Sequence, residues 1–125
     1  MKIPRVCEYC GGNVIFTDSS AIYSKSYGMI YLCTNCSASV GTHKGSKRPL
    51  GTLANAVLKL KRKEAHRVFD AMWKSEGMTR DRAYAWLAEQ MHLKKHNTHI
   101  AYFGVAQCDE VIRICQQHKE ETEAA

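Results

Sequence analysis

Four cysteines in two close pairs carry the most definite chemistry in the chain. Cys7-Glu8-Tyr9-Cys10 and Cys33-Thr34-Asn35-Cys36 are C-x-x-C turns separated by 22 residues. Such a turn aims both sulfurs at one point while neighbouring backbone N–H groups donate to them, and two turns complete a tetrahedral thiolate cage. One structural Zn(II) on Cys7, Cys10, Cys33 and Cys36 is therefore expected, although iron takes the same sulfurs. A reactive redox pair needs one such turn, not two equivalent ones. Four thiolates around one Zn(II) carry a net −2, lowering the formal charge from +6 to +4.

A second set of residues has the composition of an acid–base site. Arg62, His66 and Asp70 follow one helix edge with Trp73 beside them, and His43 lies on the loop feeding that helix. An aspartate that holds a histidine in one tautomer is a common way to orient a general base. A histidine beside an aspartate and a tryptophan at a helix–loop junction is also a common structural knot, so no catalytic residue is assigned. His92, His96 and His99 form a weaker metal-ligand pattern, because their spacing crosses the expected end of a helix. Convergent carboxylates for two-metal chemistry are missing from the pattern, and Gly41 to Lys47 lacks the spacing of a phosphate-binding Walker loop.

The third feature is charge. Between Lys44 and Arg67 stand eight basic residues, Lys44, Lys47, Arg48, Lys59, Lys61, Arg62, Lys63 and Arg67, against the single acid Glu64. The chain from Asp109 to Glu123 reverses the balance. A one-sided cluster of this kind is the footprint of a polyanion binder, and Lys44, Lys47, Arg48, Lys59, Arg62, Lys63 and Arg67 are the candidate anion contacts. Tyr23, Tyr27 and Tyr31 are candidates to stack on unpaired bases.

The elements that must position these groups divide the chain by periodicity. With 125 residues, 45% apolar and 24% charged, and only 8 Gly and 2 Pro, the composition is that of a folded domain rather than a disordered or collagen-like chain. No apolar stretch reaches the ~18 residues of a membrane span and none near Met1 resembles a signal peptide, so a cytoplasmic protein with no membrane partner is expected. The β-prone runs Val14–Thr17, Ala21–Ser24 and Met29–Leu32, broken by Asp18-Ser19-Ser20 and Ser26-Tyr27-Gly28, outline a zinc ribbon. Beyond Cys36 the period changes to that of helices. Thr52 is the expected N-cap of a long helix ending near Lys74, with Leu53, Ala54, Val57, Leu58, Leu60, Ala65, Val68, Phe69 and Met72 inward. Thr79 caps a second helix to about His92, with Ala83, Tyr84, Leu87 and Met91 inward. A third starts after Gly104 with Cys108, Val111, Ile112 and Cys115 on one stripe, making those two cysteines buried thiols. The expected class is α+β: a zinc ribbon over 1–40, a basic Gly-containing connection over 41–51, a three-helix unit over 52–118 and a disordered acidic tail over 119–125.

These residues carry a resemblance. Tyr31-Leu32-Cys33 with Cys36, Val40-Gly41-Thr42-His43-Lys44-Gly45, Pro49-Leu50-Gly51-Thr52-Leu53-Ala54, Arg62, Ala65-His66, Phe69-Asp70 and Trp73 resemble a family of small, largely phage- and prophage-encoded zinc-finger-containing proteins. The likeness continues through Arg80, Ala83-Tyr84, Trp86-Leu87-Ala88, His99-Ile100, Phe103 and Cys108, and so covers Cys7 to about Ile112. It departs at Gly104, where the family tends to place an acidic helix start. The resemblance implies zinc on Cys7, Cys10, Cys33 and Cys36 and a phage or prophage setting. It implies no reaction.

Three functions fit these features. The first is a zinc-ribbon accessory protein that binds nucleic acid by its phosphate backbone. The second is an adaptor or inhibitor docking on a host polymerase, nuclease or defence complex. The third is a hydrolase built on His43, His66 and Asp70.

Overall fold

Two of the β-prone runs become strands. β1 (Val14–Asp18) and β2 (Met29–Cys33) pair antiparallel, with Phe16 opposite Tyr31 and Val14 opposite Cys33. A third strand, β3 (Ser39–Gly41), pairs antiparallel with the other edge of β2, Tyr31 opposite Val40, giving the order β1-β2-β3. The computed structural model describes residues 3–124; Met1 and Lys2 of the expected ribbon and Ala125 of the expected tail lie outside them. The chain divides into two compact units, Met1–Lys59 and Leu60–Ala125.

Within the first unit, Ala21–Ser24 does not form the expected strand, and Ser19–Ala21 is instead a 3₁₀ turn. The Asp18 carboxylate accepts from the Ser20 amide (2.9 Å) and the Ser26 hydroxyl (2.7 Å), and the buried Ser19 hydroxyl accepts from the Tyr27 amide (2.6 Å). Within the run itself, the Ile22 and Tyr23 amides donate to the Ser19 carbonyl at 3.1 and 3.0 Å, which removes donors that a strand would have given to a neighbour. β3 arises at the junction of the expected ribbon and connection because the second C-x-x-C turn reverses the chain onto β2. Ser39 then exchanges both backbone hydrogen bonds with Ala54, at 2.9 and 3.0 Å, which makes 41–51 part of the ribbon unit. Its core joins Cys7, Cys33, Tyr31, Ala38 and Leu53, with Val14 and Val40 packed against them.

The same Ser39–Ala54 pairing moves the first helix. Residues 53 and 54 are held extended, so Thr52 is not the cap; α1 covers Ala56–Ser75, and the Asn55 side chain accepts from the Leu58 amide at 3.0 Å. Leu58, Ala65, Phe69 and Met72 are buried, whereas Val57 and Leu60 are exposed. The buried positions form a narrower stripe than the expected arc, and Arg62 lies inside it. α1 ends in a Schellman motif: Gly77, at φ 68°, donates to the Lys74 carbonyl and Met78 to the Trp73 carbonyl.

In the second unit, α2 (Arg80–Met91) is capped by Thr79, whose hydroxyl accepts from the Arg82 amide at 3.2 Å. It ends in a second Schellman motif on His92, at φ 56°. α3 (Val105–Ala124) begins at Gly104, to whose amide the Gln107 side chain reaches back at 3.4 Å. Cys108, Val111, Ile114 and Cys115 are buried on α3, while Ile112 is only half-buried. The acidic segment from Lys119 continues this helix to Ala124 instead of leaving it, with i,i+4 contacts from Gln117 to Glu121 and Lys119 to Glu123. Lys61 finds a partner in Asp109 of α3, 2.7 Å away. No helix among the described residues is long and apolar enough to cross a membrane.

Candidate metal centre and basic groove

The two C-x-x-C turns are built alike, and the likeness aims the sulfurs. In each, the first cysteine donates its amide to the carbonyl five residues on (Cys7 to Gly12, 2.9 Å; Cys33 to Ala38, 2.8 Å). In each, the residue four positions on adopts positive φ and donates back to the cysteine carbonyl: Gly11 at φ 75° and 2.8 Å, Ser37 at φ 66° and 3.2 Å. The first cysteine of each turn is buried and the second exposed. Amides of Gly12 (to Cys10 Sγ, 3.4 Å), Asn35 (to Cys33 Sγ, 3.4 Å) and Cys36 (to Cys33 Sγ, 3.5 Å) approach the sulfurs. Such donors stabilise thiolates.

The four sulfurs fit a metal ion. A tetrahedron with metal–sulfur bonds of about 2.3 Å has edges of about 3.8 Å. Cys7–Cys36 and Cys10–Cys33 are each 3.5 Å apart, and all four Sγ atoms lie within 4.8 Å of one another. A Cβ on Gly12 would stand 2.9 Å from Cys33 Sγ and 3.2 Å from Cys10 Sγ, so the sulfurs occupy space that only glycine leaves open. Cys7, Cys10, Cys33 and Cys36 therefore form one structural zinc site, closed by four sulfurs and offering no position for a water nucleophile. In this arrangement the four thiols are unequal. The Asn35 side chain, the Gly12 amide and Cys33 draw Cys10 down to about 6. Cys36, despite the Ala38 amide that favours its thiolate, is pushed up to about 12 by partial desolvation and the adjoining thiols of Cys7, Cys10 and Cys33. Metal loading must displace such protons. Among the described residues no other group of three or more potential ligands converges, His92, His96 and His99 included.

The first unit also contains a basic loop held against the sheet. His43 donates to the Arg48 carbonyl (2.9 Å) and Ser46 to the His43 carbonyl (3.0 Å), closing a turn that exposes His43, Lys44, Lys47 and Arg48. Two side chains fasten it: the Tyr31 hydroxyl donates to the Lys47 carbonyl at 2.7 Å, and the Thr42 hydroxyl to the Met29 carbonyl at 2.9 Å. Tyr31, a sequence candidate for stacking, is thus buried as a tether. Residues 49–55 separate this loop from α1, so its cations do not directly precede the helix N-terminus. Beside the loop runs an open groove of about 690 Å³ lined by Phe16, Tyr27, Met29, His43, Lys44 and Lys47. Lys47 Nζ stands 5.7 Å from the Phe16 ring centre and Lys25 Nζ 5.4 Å from that of Tyr27. Phe16, missed in the sequence reading, belongs to β1, where alternation is blurred because both faces are partly exposed.

The remaining candidates separate by environment. Arg62 is buried and its Nε donates to the Phe103 carbonyl at 2.9 Å, which takes it out of the phosphate-facing set and makes it a core group of the second unit. Lys59 bonds the Ser39 hydroxyl and stands 5.9 Å from the Tyr23 ring. Arg67 is exposed but paired with Glu64 at 2.6 Å, and Lys63 is exposed. His43 is exposed in the first unit, whereas Arg62, His66 and Asp70 belong to the second. Asp70 accepts from Trp73 Nε1 at 2.9 Å, as in a structural knot. Burial lowers the His66 pKa, with the Asp70 charge acting against it. Cys108 and Cys115 are buried thiols whose pKa burial raises, that of Cys115 to about 11.

Comparison with known proteins adds a family. A family model described as a zinc-finger-containing domain matches residues 3–118. No curated protein and no solved structure matches the chain.

Proposed function

The chain belongs to the family of zinc-finger-containing domains, and from that premise we propose that its metal ribbon is a platform for binding nucleic acid through the phosphate backbone. The observation that carries the reading is the basic loop: Lys44, Lys47 and Arg48 project from a turn that Tyr31 and Thr42 fasten to the sheet, so the cations are placed before any ligand arrives. Fixed charge loses less conformational freedom on binding than charge on a mobile tail. The zinc contributes shape, because β2 of the sheet that anchors the loop ends on the ligand Cys33 and β3 starts three residues after the ligand Cys36. The loop's exposed cations suit phosphate oxygens, and the reading is therefore of backbone rather than sequence. The sequence resemblance supports an accessory role of the phage or prophage kind, acting in a host cytoplasm.

The test is binding of the zinc-loaded chain to nucleic acid at about 50 and 200 mM salt. Engaging two or three phosphates predicts a slope of about −2 in log K against log salt. Lys44→Glu/Lys47→Glu/Arg48→Glu should abolish binding while zinc content stays at one per chain. Failure to bind at low salt, or indifference to salt, sinks the reading. A protein adaptor is the second reading, favoured by Val57 and Leu60, exposed by 59% and 68% on α1. It requires a protein partner that remains bound after nuclease treatment and is lost with Val57→Ser/Leu60→Ser.

A further inference from the structure

We infer that the groove between β1 and the basic loop is a base-stacking subsite, which makes the ligand a single-stranded nucleic acid rather than a duplex. The inference rests on the reading above and narrows it. The groove has two chemically different walls. Phe16 and Tyr27 supply aromatic surface, Tyr27 being 69% exposed, while His43, Lys44 and Lys47 supply hydrogen-bond donors and positive charge. Aromatic surface beside cations matches a polymer that presents flat rings and phosphates in alternation. A duplex withholds its ring faces, because they are stacked on one another.

In the free protein the ring faces already have cationic neighbours. The Lys47 and Lys25 ammonium groups lie near the faces of Phe16 and Tyr27, at 5.7 and 5.4 Å from the ring centres. An incoming base displaces an ammonium from its ring, and the freed ammonium meets the phosphate joined to that base. The aromatic positions are supported from behind. Phe16 packs against Tyr31 at a centroid distance of 5.1 Å, and Tyr27 against Tyr23 at 5.7 Å. Tyr31 in turn holds the Lys47 carbonyl, so one buried residue backs both walls.

The experiment compares labelled dT and rU oligonucleotides of about 12 residues with duplexes of equal length, using anisotropy of the full zinc-loaded chain. Single strands of either sugar should bind at least about tenfold tighter than duplex. Tyr27→Ala and Phe16→Leu should each remove most of that preference and leave the weaker, salt-dependent duplex binding intact, because the loop cations are unchanged. Tyr102→Ala, an exposed aromatic of the second unit, is the control and should change nothing. Zinc content and thermal unfolding verify that each variant folds; if Phe16→Leu does not, Tyr27→Ala decides alone. Equal affinity for duplex and single strand, or a preference that survives Tyr27→Ala, overturns the stacking subsite while leaving the backbone reading in place. Absence of binding to every oligonucleotide overturns both.

Discussion

Gly11 and Ser37 occupy the same place in the two metal turns. Each stands four residues after a buried cysteine, at φ 75° and 66°, and each donates its amide to that cysteine's carbonyl. Only one of them is glycine. A side chain in the left-handed region costs about 1 kcal/mol, so Ser37→Gly should raise the stability of the zinc-loaded first unit by up to that amount. Gly11→Val should lower it by more, since a β-branched residue tolerates the region poorly. Thermal unfolding with zinc present reads both. An unchanged midpoint for both variants would mean that the turns do not hold these backbone angles.

Gly12 should be more restrictive than Gly11, for a different reason. Its backbone needs no special angle, but an added methyl would stand 2.9 Å from Cys33 Sγ and from Asn35 Cβ. Neither neighbour is the far end of a flexible side chain. Gly12→Ala should therefore push the turns apart and weaken zinc binding at least about tenfold, within the range seen when groups that orient metal ligands are lost. Competition with a chromophoric chelator measures it. Full retention of affinity would show that the sulfur cage is looser than its separations indicate.

Metal removal should act unevenly along the chain. The first unit is organised around a buried cluster in which two of the five members, Cys7 and Cys33, are themselves ligands. Its folding free energy is thus largely metal-binding free energy, about 10 kcal/mol or more for structural zinc. The second unit draws on Phe69, Leu87, Ile100, Phe103 and Val111, none of them a ligand. A strong chelator should erase the amide resonances of β1, β2 and β3 and leave those of α2 and α3 dispersed. Survival of the β resonances after complete zinc removal would refute the dependence.

The ligands were legible in the sequence because metal chemistry demands a local spacing, and local spacing is what a sequence displays. The capping of α2 by Thr79 was legible for the same reason. The start of α1 was not: Thr52 and Asn55 are both good caps, and the choice between them is made by Ser39, fifteen residues before Ala54, through two backbone hydrogen bonds. Arg62 reads as an exposed cation because its charge suggests water, yet it sits in the stripe of Leu58, Ala65 and Phe69 with a carbonyl from beyond α2 to receive it. Tyr31 was misjudged because β2 is the central strand, so that side chains on both faces are covered and alternation carries no signal.

His66 gives the second unit an acid sensitivity of definite sign. Burial lowers its folded pKa below the ordinary 6.5. As the pH falls through 6.5 the unfolded chain takes up a proton that the folded chain refuses. Stability is therefore greatest above that value and declines as the pH falls toward the folded pKa. The His66→Gln variant should flatten this decline between about pH 7 and pH 5, and ring-proton titration by NMR should give a midpoint below 6.5 in the wild type. A midpoint above 6.5 would reverse the sign, showing that Asp70 outweighs burial.

Tyr31→Phe should separate the placement of the basic loop from the integrity of the ribbon. The ring remains to fill the core beside Cys7 and Cys33 and to back Phe16, while the hydroxyl that donates to the Lys47 carbonyl is lost. One hydrogen bond of this kind contributes about 1 kcal/mol, so the variant should unfold slightly earlier with zinc still bound. The larger change should be local: amides from His43 to Arg48 should exchange faster with solvent, because of the two side chains that fasten the loop to the sheet only Thr42 then remains. Nucleic-acid affinity should fall several-fold with the salt slope unchanged, since the number of cations is the same and only their placement is lost. A reduced slope would mean instead that a charge contact had gone, and unchanged exchange in the loop would show that Tyr31 is no tether.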